Sequence, residues 1–150
     1  MSASPASRND GGANTPVPLI RIPIAVRWRD MDAFGHVNNA MYLSYLEEAR
    51  IRWLTTLPDV PLNERISPVV AAAQVNYRMP IKWPGDVMVE LWIERAGRSS
   101  VSFGHRIVAQ ADDTLLHADG HVVMVWVDAR DGRSVPLPDG VRRLHTENPT

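Results

Sequence analysis

The chain has 150 residues, of which 45% are apolar and 22% are charged, and its formal net charge is −1. This length favours one domain with a substantial core, and the near-neutral charge predicts no basic surface for nucleic acid. The chain contains no cysteine, which excludes disulfides, thiolate metal ligands and a cysteine nucleophile. It also has no run of about 18 apolar residues that would predict a membrane span.

The first 18 residues differ in composition from the rest. They are rich in Ser, Asn, Gly, Ala and Pro, and they lack the apolar stretch of a signal peptide. We therefore expect residues 1–18 to be a disordered N-terminal arm and residues 19–150 to form a single domain. We also expect the protein to be cytoplasmic.

The next segment predicts a strand, a loop and a long helix. Residues 20–28 alternate between apolar and other side chains, which predicts a half-buried strand, and Pro23 indicates an edge or a bulge. After the loop, apolar side chains recur every three or four residues. This spacing predicts a helix that begins at Asn38 or Asn39, either of which is a suitable N-cap, and ends near Leu57.

The remainder of the chain predicts β-structure. Four further strands follow, at about residues 69–79, 87–94, 101–107 and 115–127. The last strand is apolar at every position from Val122 to Val127, so we expect both of its faces to be buried. The turn-rich tail after Asp128 predicts irregular structure that ends at most in a short helix. One helix with about five mostly antiparallel strands predicts an α+β fold.

A single helix covers only one face of such a sheet. The free sheet edge and the remaining apolar surface therefore predict a homo-oligomer.

Residues suited to chemistry concentrate between the first strand and the helix. Asp30, Asp32, His36, Asn38 and Asn39 all precede the first apolar residues of the helix. A carboxylate there can act on water or on a carbonyl, while the N–H groups of the helix start stabilise developing negative charge. In an extended chain Asp30 and Asp32 would share a face, about 7 Å apart.

The other histidines and the known catalytic motifs give no competing site. His117 and His121 lie four residues apart on a predicted strand, about 13 Å from each other, which is too far to chelate a metal. His105 lies on an apolar face and is expected to be a buried histidine with satisfied ring nitrogens. The chain has no serine-hydrolase elbow, dinucleotide-binding fingerprint or P-loop.

A family resemblance is carried by the run DMDAFGHVNNAMY at residues 30–42, continued by Glu48-x-Arg50. It resembles the signature of the hotdog-fold acyl-CoA thioesterases, of the 4-hydroxybenzoyl-CoA thioesterase-like subgroup and the Gly-His-Val-Asn-Asn type. The resemblance covers residues 20–145 and implies a curved sheet wrapped around one long helix. It also implies a homodimer or homotetramer with active sites at subunit interfaces, and no metal or redox cofactor. Coenzyme A would enter only as part of the acyl-CoA substrate.

The same resemblance implies roles for individual residues. Asp32 matches the catalytic carboxylate, as nucleophile or general base, and the backbone N–H groups of Gly35, His36 and Val37 would position the thioester or the water. The His36 ring is either an acid or base, or a brace for the loop. The candidate substrate contacts are Asn39, Tyr42, Val69, Val70, Arg78, Lys82, Arg98 and Ser99.

Those substrate contacts fall into three groups. Asn39 and Tyr42 belong to the start of the helix. Val69 and Val70 would supply oxyanion donors from a partner subunit. The remaining four, which lie in turns or at strand ends, would hold the phosphates of coenzyme A or form ordinary surface charge.

Several functions stay open at this stage. An acyl-carrier-protein thioesterase, an enoyl-thioester hydratase and a non-catalytic acyl-CoA-binding protein would use the same fold. Benzoyl-type members of the family lack a histidine at the position of His36, so an aromatic substrate does not follow and a fatty acyl-CoA is equally open. Trp53, Trp83 and Phe103 are candidates for shaping the acyl pocket.

Overall fold

The computed structural model describes residues 16–60 and 65–147, so the predicted arm lies almost wholly outside the described residues. The elements in chain order are β1 (Ile20–Ala25), a 3₁₀ turn (Trp28–Asp30), α1 (Asn39–Leu54), β2 (Ile66–Tyr77), β3 (Asp86–Ala96), β4 (Ser100–Ala109), β5 (Leu116–Asp128) and α2 (Asp139–Glu147). All strand pairs are antiparallel, in the order β1-β3-β4-β5-β2. The predicted α+β fold, with one long helix on a five-stranded sheet, is confirmed.

No helix within the described ranges is long and apolar enough to cross a membrane. The cytoplasmic location stays a prediction.

The long helix begins where its capping residue predicts. Asn38 is the N-cap, and its Oδ1 accepts a hydrogen bond of 2.9 Å from the backbone N–H of Ala40. The helix ends at Leu54, three residues before the predicted end. Its last turn closes there because the hydroxyls of Thr55 and Thr56 bond to backbone carbonyl oxygens of the helix.

One face of α1 packs on the sheet and builds two apolar clusters. The cluster toward the helix C-terminus contains Trp53 and Phe103, whose rings meet edge to face at a centroid distance of 5.1 Å. These two residues are therefore part of the packed core and do not line a pocket. The turn-rich tail is only partly irregular, because α2 buries Val141 in the same cluster.

Two strand predictions differ from the structure. β1 ends at Ala25, and the chain then turns, which leaves Trp28 71% exposed. On β5, Val122 is buried while Val123 and Val125 are only half-buried, so the prediction that both faces are buried was wrong. The reason is that both helices pack on the same face of the sheet, where their buried residues form the two apolar clusters. The other face of β5 is covered by neither helix.

A buried carboxylate connects the exit of β1 to α1. Asp30 is 2% exposed, and it accepts hydrogen bonds from the Tyr45 hydroxyl at 2.7 Å and from the Arg27 backbone N–H at 3.0 Å. The Arg27 guanidinium adds an ion pair at 3.3 Å. Burial raises the pKa of Asp30, but the bonds from Tyr45 and Arg27 outweigh it and hold the pKa below its ordinary value.

A second buried polar group has no such partners. His105 on β4 is fully buried, as predicted. Neither of its ring nitrogens has a hydrogen-bond partner among the described residues, so the prediction that both nitrogens are hydrogen-bonded was wrong. Burial lowers the pKa of His105 to about 4, the charges of Arg50 and His121 add to this, and Asp119 opposes it. The ring is therefore neutral in the folded protein at neutral pH.

We predict that the Tyr45→Phe substitution lowers the free energy of unfolding by about 1–3 kcal/mol, because the buried Asp30 carboxylate loses a donor. The matched control is Tyr77→Phe, whose hydroxyl bonds to the backbone at an exposed position. Urea unfolding of both variants measures the difference. Equal losses would contradict a special role for the buried bond.

We predict that the protein loses stability as pH falls from about 6.5 toward 4. The folded-state pKa of His105 lies below the unfolded value, so the unfolded chain binds the extra proton and is favoured as pH falls through this window. Protonation of His105 in the unfolded chain alone lowers the free energy of unfolding by about 3 kcal/mol across the whole window. Denaturant unfolding at fixed protein concentration measures it, and His105→Leu should flatten the slope in this range. An unchanged slope in that variant would refute the assignment.

Candidate active site

The loop between β1 and α1 is closed by its own backbone. Met31 and Val37 pair as an isolated antiparallel bridge, and within it the Asp32 N–H donates to the His36 carbonyl at 2.9 Å. The Gly35 N–H donates back to the Asp32 carbonyl at 3.1 Å. Gly35 has φ of 77°, a left-handed conformation that favours glycine, so this residue permits the tight turn.

Asp32 lies in this loop with its carboxylate largely unengaged. Its Oδ1 accepts one hydrogen bond, of 2.8 Å, from the backbone N–H of Phe34. Among residues 16–60 and 65–147, no other group bonds to this carboxylate and no cation pairs with it. Asp30, two residues earlier, is buried and fully bonded in the 3₁₀ turn. The extended-chain picture of two carboxylates on one face was therefore wrong, and of the two only the Asp32 carboxylate is left with a single bond.

Other segments hold the loop against the start of α1. The Val37 N–H donates to the Ile81 carbonyl at 2.8 Å, and the Ile81 N–H donates to the Tyr42 hydroxyl at 3.2 Å. The Tyr77 hydroxyl donates to the Asn39 carbonyl at 3.0 Å. The connection from β2 to β3 is thus bonded to both the loop and the helix.

This bonding determines which backbone donors remain available. The N–H groups of Gly35 and Val37 are used within the chain, as described above. Those of His36 and Asn39 have no hydrogen-bond partner in the described part of the chain. Asn39 is the first residue of α1, so its N–H lies at the positive end of the helix dipole.

A groove of about 880 Å³ opens beside the loop. His36 and Lys82 line it together with His117, whose Nδ1 lies 3.1 Å from the Met79 carbonyl oxygen. The apolar residues of the groove wall come from the β2–β3 connection and from the ends of β3, β4 and β5, and include Met79, Ile81, Val87, Ala109 and Leu115. The groove can therefore take a chain that is mostly apolar.

The predicted site residues divide between two ends of the sheet. The following lie at the end that holds the loop: Asp32, Gly35, His36, Val37, Asn39, Tyr42, Arg78 and Lys82. Among these, the Arg78 guanidinium is already bonded to the Asp119 carboxylate at 3.1 and 3.2 Å.

Arg98 and Ser99 lie at the opposite end, in the turn after β3, whose 11 residues span roughly 33 Å. Val69 lies near that same end, because it pairs with Val125, which also pairs with Ser100. One chain therefore does not bring these residues to Asp32.

Sequence reasoning missed two residues that shape the site. Ile81 positions the loop through its backbone, and Tyr77 packs against Tyr42 at a ring-centroid distance of 4.9 Å. Tyr77 is the last residue of β2, and Ile81 lies in the connection from β2 to β3. Their positions at the end of a strand and in the turn after it were the available signal.

No three potential metal ligands among His, Asp and Glu come together within the described residues. The absence of a metal or redox cofactor stays a prediction.

Comparisons with known proteins identify the family of the chain. A family model described as the thioesterase-like superfamily matches residues 26–144. The acyl-CoA thioester hydrolase YbgC of Escherichia coli is 30% identical over 126 residues, which are 82% of this chain and 92% of that protein. The long-chain acyl-CoA thioesterase FadM of Escherichia coli is 26% identical over 79% of this chain and 91% of that protein.

Solved structures extend the comparison. A protein from Xanthomonas campestris, provisionally described as an acyl-CoA thioesterase, is 54% identical, with a TM-score of 0.72 over 81% of this chain and 100% of that chain. A thioesterase from Thermus thermophilus, solved with coenzyme A and zinc, is 37% identical, with a TM-score of 0.71 over 85% of this chain and 98% of that chain. With its hotdog fold and this match, the chain belongs to the thioesterase-like superfamily and is a thioester hydrolase.

Proposed function

We propose that the protein hydrolyses acyl-CoA thioesters to a free acid and coenzyme A, with Asp32 as the nucleophile or general base. The observation that carries this proposal is the unpaired Asp32 carboxylate in a closed loop, beside free N–H groups and an apolar groove. The acyl-CoA substrate is supported by the names of the Escherichia coli relatives and by the coenzyme A bound in the Thermus thermophilus structure.

In this proposal the thioester carbonyl lies between Asp32 and the start of α1. Asp32 either attacks the carbonyl carbon, giving an acyl-enzyme anhydride that water then hydrolyses, or removes a proton from an attacking water. Charge that develops on the carbonyl oxygen is stabilised by the N–H groups of His36 and Asn39. Coenzyme A leaves as the thiolate and takes up a proton.

A second copy of the chain would complete the site. β2 is an edge strand, and its residues 69–74 are all exposed. Antiparallel pairing of two β2 strands about the middle of this run sets the second copy's Pro68 to Val70 beside residues 73–75, close to the start of α1. The same symmetry brings Arg98 and Ser99 of the second copy toward the site. We infer a homodimer, or a homotetramer built from such dimers.

We predict that Asp32→Asn lowers kcat at least about 100-fold and leaves the melting temperature unchanged, because the amide oxygen still accepts the Phe34 N–H but neither attacks nor takes a proton. The matched control is Asp131→Asn, whose carboxylate caps a similar exposed turn by accepting the Arg133 N–H.

The assay is thiol release over acyl-CoAs of increasing chain length. Hydrolysis at the wild-type rate by Asp32→Asn would refute the role of Asp32. Tight acyl-CoA binding without thiol release by the wild type would identify a binding protein, a hydrated product from an enoyl thioester would identify a hydratase, and turnover restricted to acyl carrier protein would identify that substrate.

Lys82 is the only lysine of the chain, and it lies on the rim of the groove. We predict that Lys82→Met raises KM for an acyl-CoA by roughly three- to tenfold with little change in kcat, because one charge-assisted contact to a phosphate is lost. The N-acetylcysteamine thioester of the same acyl group has no phosphate, and its KM should not change. Arg142→Met on the exposed side of α2 is the control. An equal effect on both substrates would refute the phosphate contact.

A further inference from the structure

β5 carries an extra residue where it forms part of the groove wall. Ile107 pairs with Ala118 and the next residue of β4, Val108, pairs with Leu116, so His117 is the extra residue of a β-bulge. A bulge bends its strand and changes the direction in which a side chain points, and bulges are common beside binding and catalytic sites. The side chain of His117 lines the groove.

Three hydrogen bonds hold His117 in this position. Its carbonyl oxygen accepts the backbone N–H groups of Arg78 at 2.9 Å and of Met79 at 3.2 Å. Its ring Nδ1 lies 3.1 Å from the Met79 carbonyl oxygen, and the residue is only 9% exposed. The histidine is therefore fixed through both its backbone and its side chain, as a binding group with one defined orientation must be.

The same contacts determine which ring nitrogen carries the hydrogen. A carbonyl oxygen only accepts hydrogen bonds, so Nδ1 of His117 carries the hydrogen that is donated to Met79. In the neutral imidazole Nε2 is then an acceptor with a lone pair. Nε2 has no hydrogen-bond partner among residues 16–60 and 65–147, and it is not among the fully enclosed atoms that lack a partner. It therefore reaches the open space of the groove.

Nε2 of His117 differs from the other polar groups of the groove. Lys82, Asp86 and Gln110 also line it, but these residues are exposed and keep their hydration. His117 is almost entirely withdrawn from water, in a groove whose wall is mostly apolar. An acceptor in such surroundings is unfavourable without a bond, so the groove discriminates between ligands with and without a donor at this point.

The histidine lies close to the loop between β1 and α1. The Val37 N–H of that loop bonds to the Ile81 carbonyl, and Met79, which bonds to the His117 ring, precedes Ile81 by two residues. Two residues span at most about 7 Å. A substrate whose thioester lies at Asp32 and which extends into the groove therefore passes this ring.

We propose that Nε2 of His117 accepts a hydrogen bond from an N–H or O–H donor on the part of the substrate that lies in the groove, so that His117 determines substrate specificity. This inference rests on the proposed hydrolysis and adds a specificity determinant to the same site. Two parts of an acyl-CoA can carry such a donor. They are the pantetheine arm, through its amide N–H groups, and the acyl chain, through a hydroxyl.

Three variants separate the acceptor from the bond that holds the ring. In His117→Asn the side-chain amide can still donate to the Met79 carbonyl, but no acceptor takes the place of Nε2. In His117→Gln the longer side chain places its amide oxygen near the position of Nε2. His121→Asn is the matched control, since His121 lies four residues further along the same strand and is exposed.

The kinetic test compares thioesters that differ only in their donors. The thiol is 2-acetoxyethanethiol, which has no N–H group, or N-acetylcysteamine, which has one, or pantetheine, which has two. The acyl chain is either unsubstituted or carries a hydroxyl at successive carbons. For a thioester with the recognised donor, we expect His117→Asn to lower kcat/KM about tenfold, because one hydrogen bond is lost. His117→Gln should recover part of this loss, and His121→Asn should show none.

The substrates also identify the source of the donor. A tenfold loss that appears with N-acetylcysteamine or with pantetheine, whatever the acyl chain, assigns the donor to the pantetheine arm. A loss that appears only with a hydroxyl at one carbon assigns it to the acyl chain. A loss of equal size for all thioesters, including the donor-free one, or no loss for any of them, refutes the hydrogen bond.

Nitrogen NMR gives a readout that does not depend on turnover. At about pH 8, where an ordinary imidazole is neutral, the ring whose signals vanish in His117→Asn should show a protonated Nδ1 and an unprotonated Nε2. Its Nε2 resonance should shift when an uncleavable thioether analogue with the recognised donor is added. A protonated Nε2 refutes the inference. A wild type that shows this shift but releases no thiol from any thioester refutes the proposed hydrolysis and leaves the hydrogen bond standing.

Discussion

The buried carboxylate of Asp30 is the contact on which the site depends. A charge with 2% exposure is tolerated only because Tyr45 on α1 and both the backbone and the side chain of Arg27 bond to it. These bonds fix the exit of β1 against the middle of the long helix. The loop that carries Asp32 begins directly after Asp30, so its position relative to the helix start follows from this network.

The two aspartates illustrate how one residue type serves two purposes. Asp30 is surrounded by donors and held in place, while Asp32 accepts a single backbone hydrogen bond and faces no cation in the described residues. The carboxylate with fewer bonds to its neighbours is the one to which the proposed function assigns the reaction. The backbone of the loop shows the same division. The N–H groups of Gly35 and Val37 bond within the chain and hold the loop in shape, whereas that of His36 has no partner in the described residues.

Two features of the single chain are left uncovered. β2 is an edge strand of the sheet, and Leu43 and Ile51 of α1 are exposed. Each is unfavourable in an isolated chain, and the proposed homodimer would cover the β2 edge. In that proposal, the same pairing of two copies also completes the site.

The sequence by itself determined the order of the strands and the long helix, placed the N-cap at Asn38 or Asn39, and contained the family motif from which Asp32 is proposed. These features are encoded in short-range periodicity and spacing, which a chain segment expresses within a few residues. Tertiary structure decided that Asp30 is bonded, that Trp53 and Phe103 fill the core, and that Arg98 and Ser99 lie a full strand length from Asp32. These outcomes depend on partners 15 to 50 residues away in the chain, such as Asp30 with Tyr45 or Trp53 with Phe103, and burial and bonding between such partners exist only once the sheet has paired and the helix has packed on it.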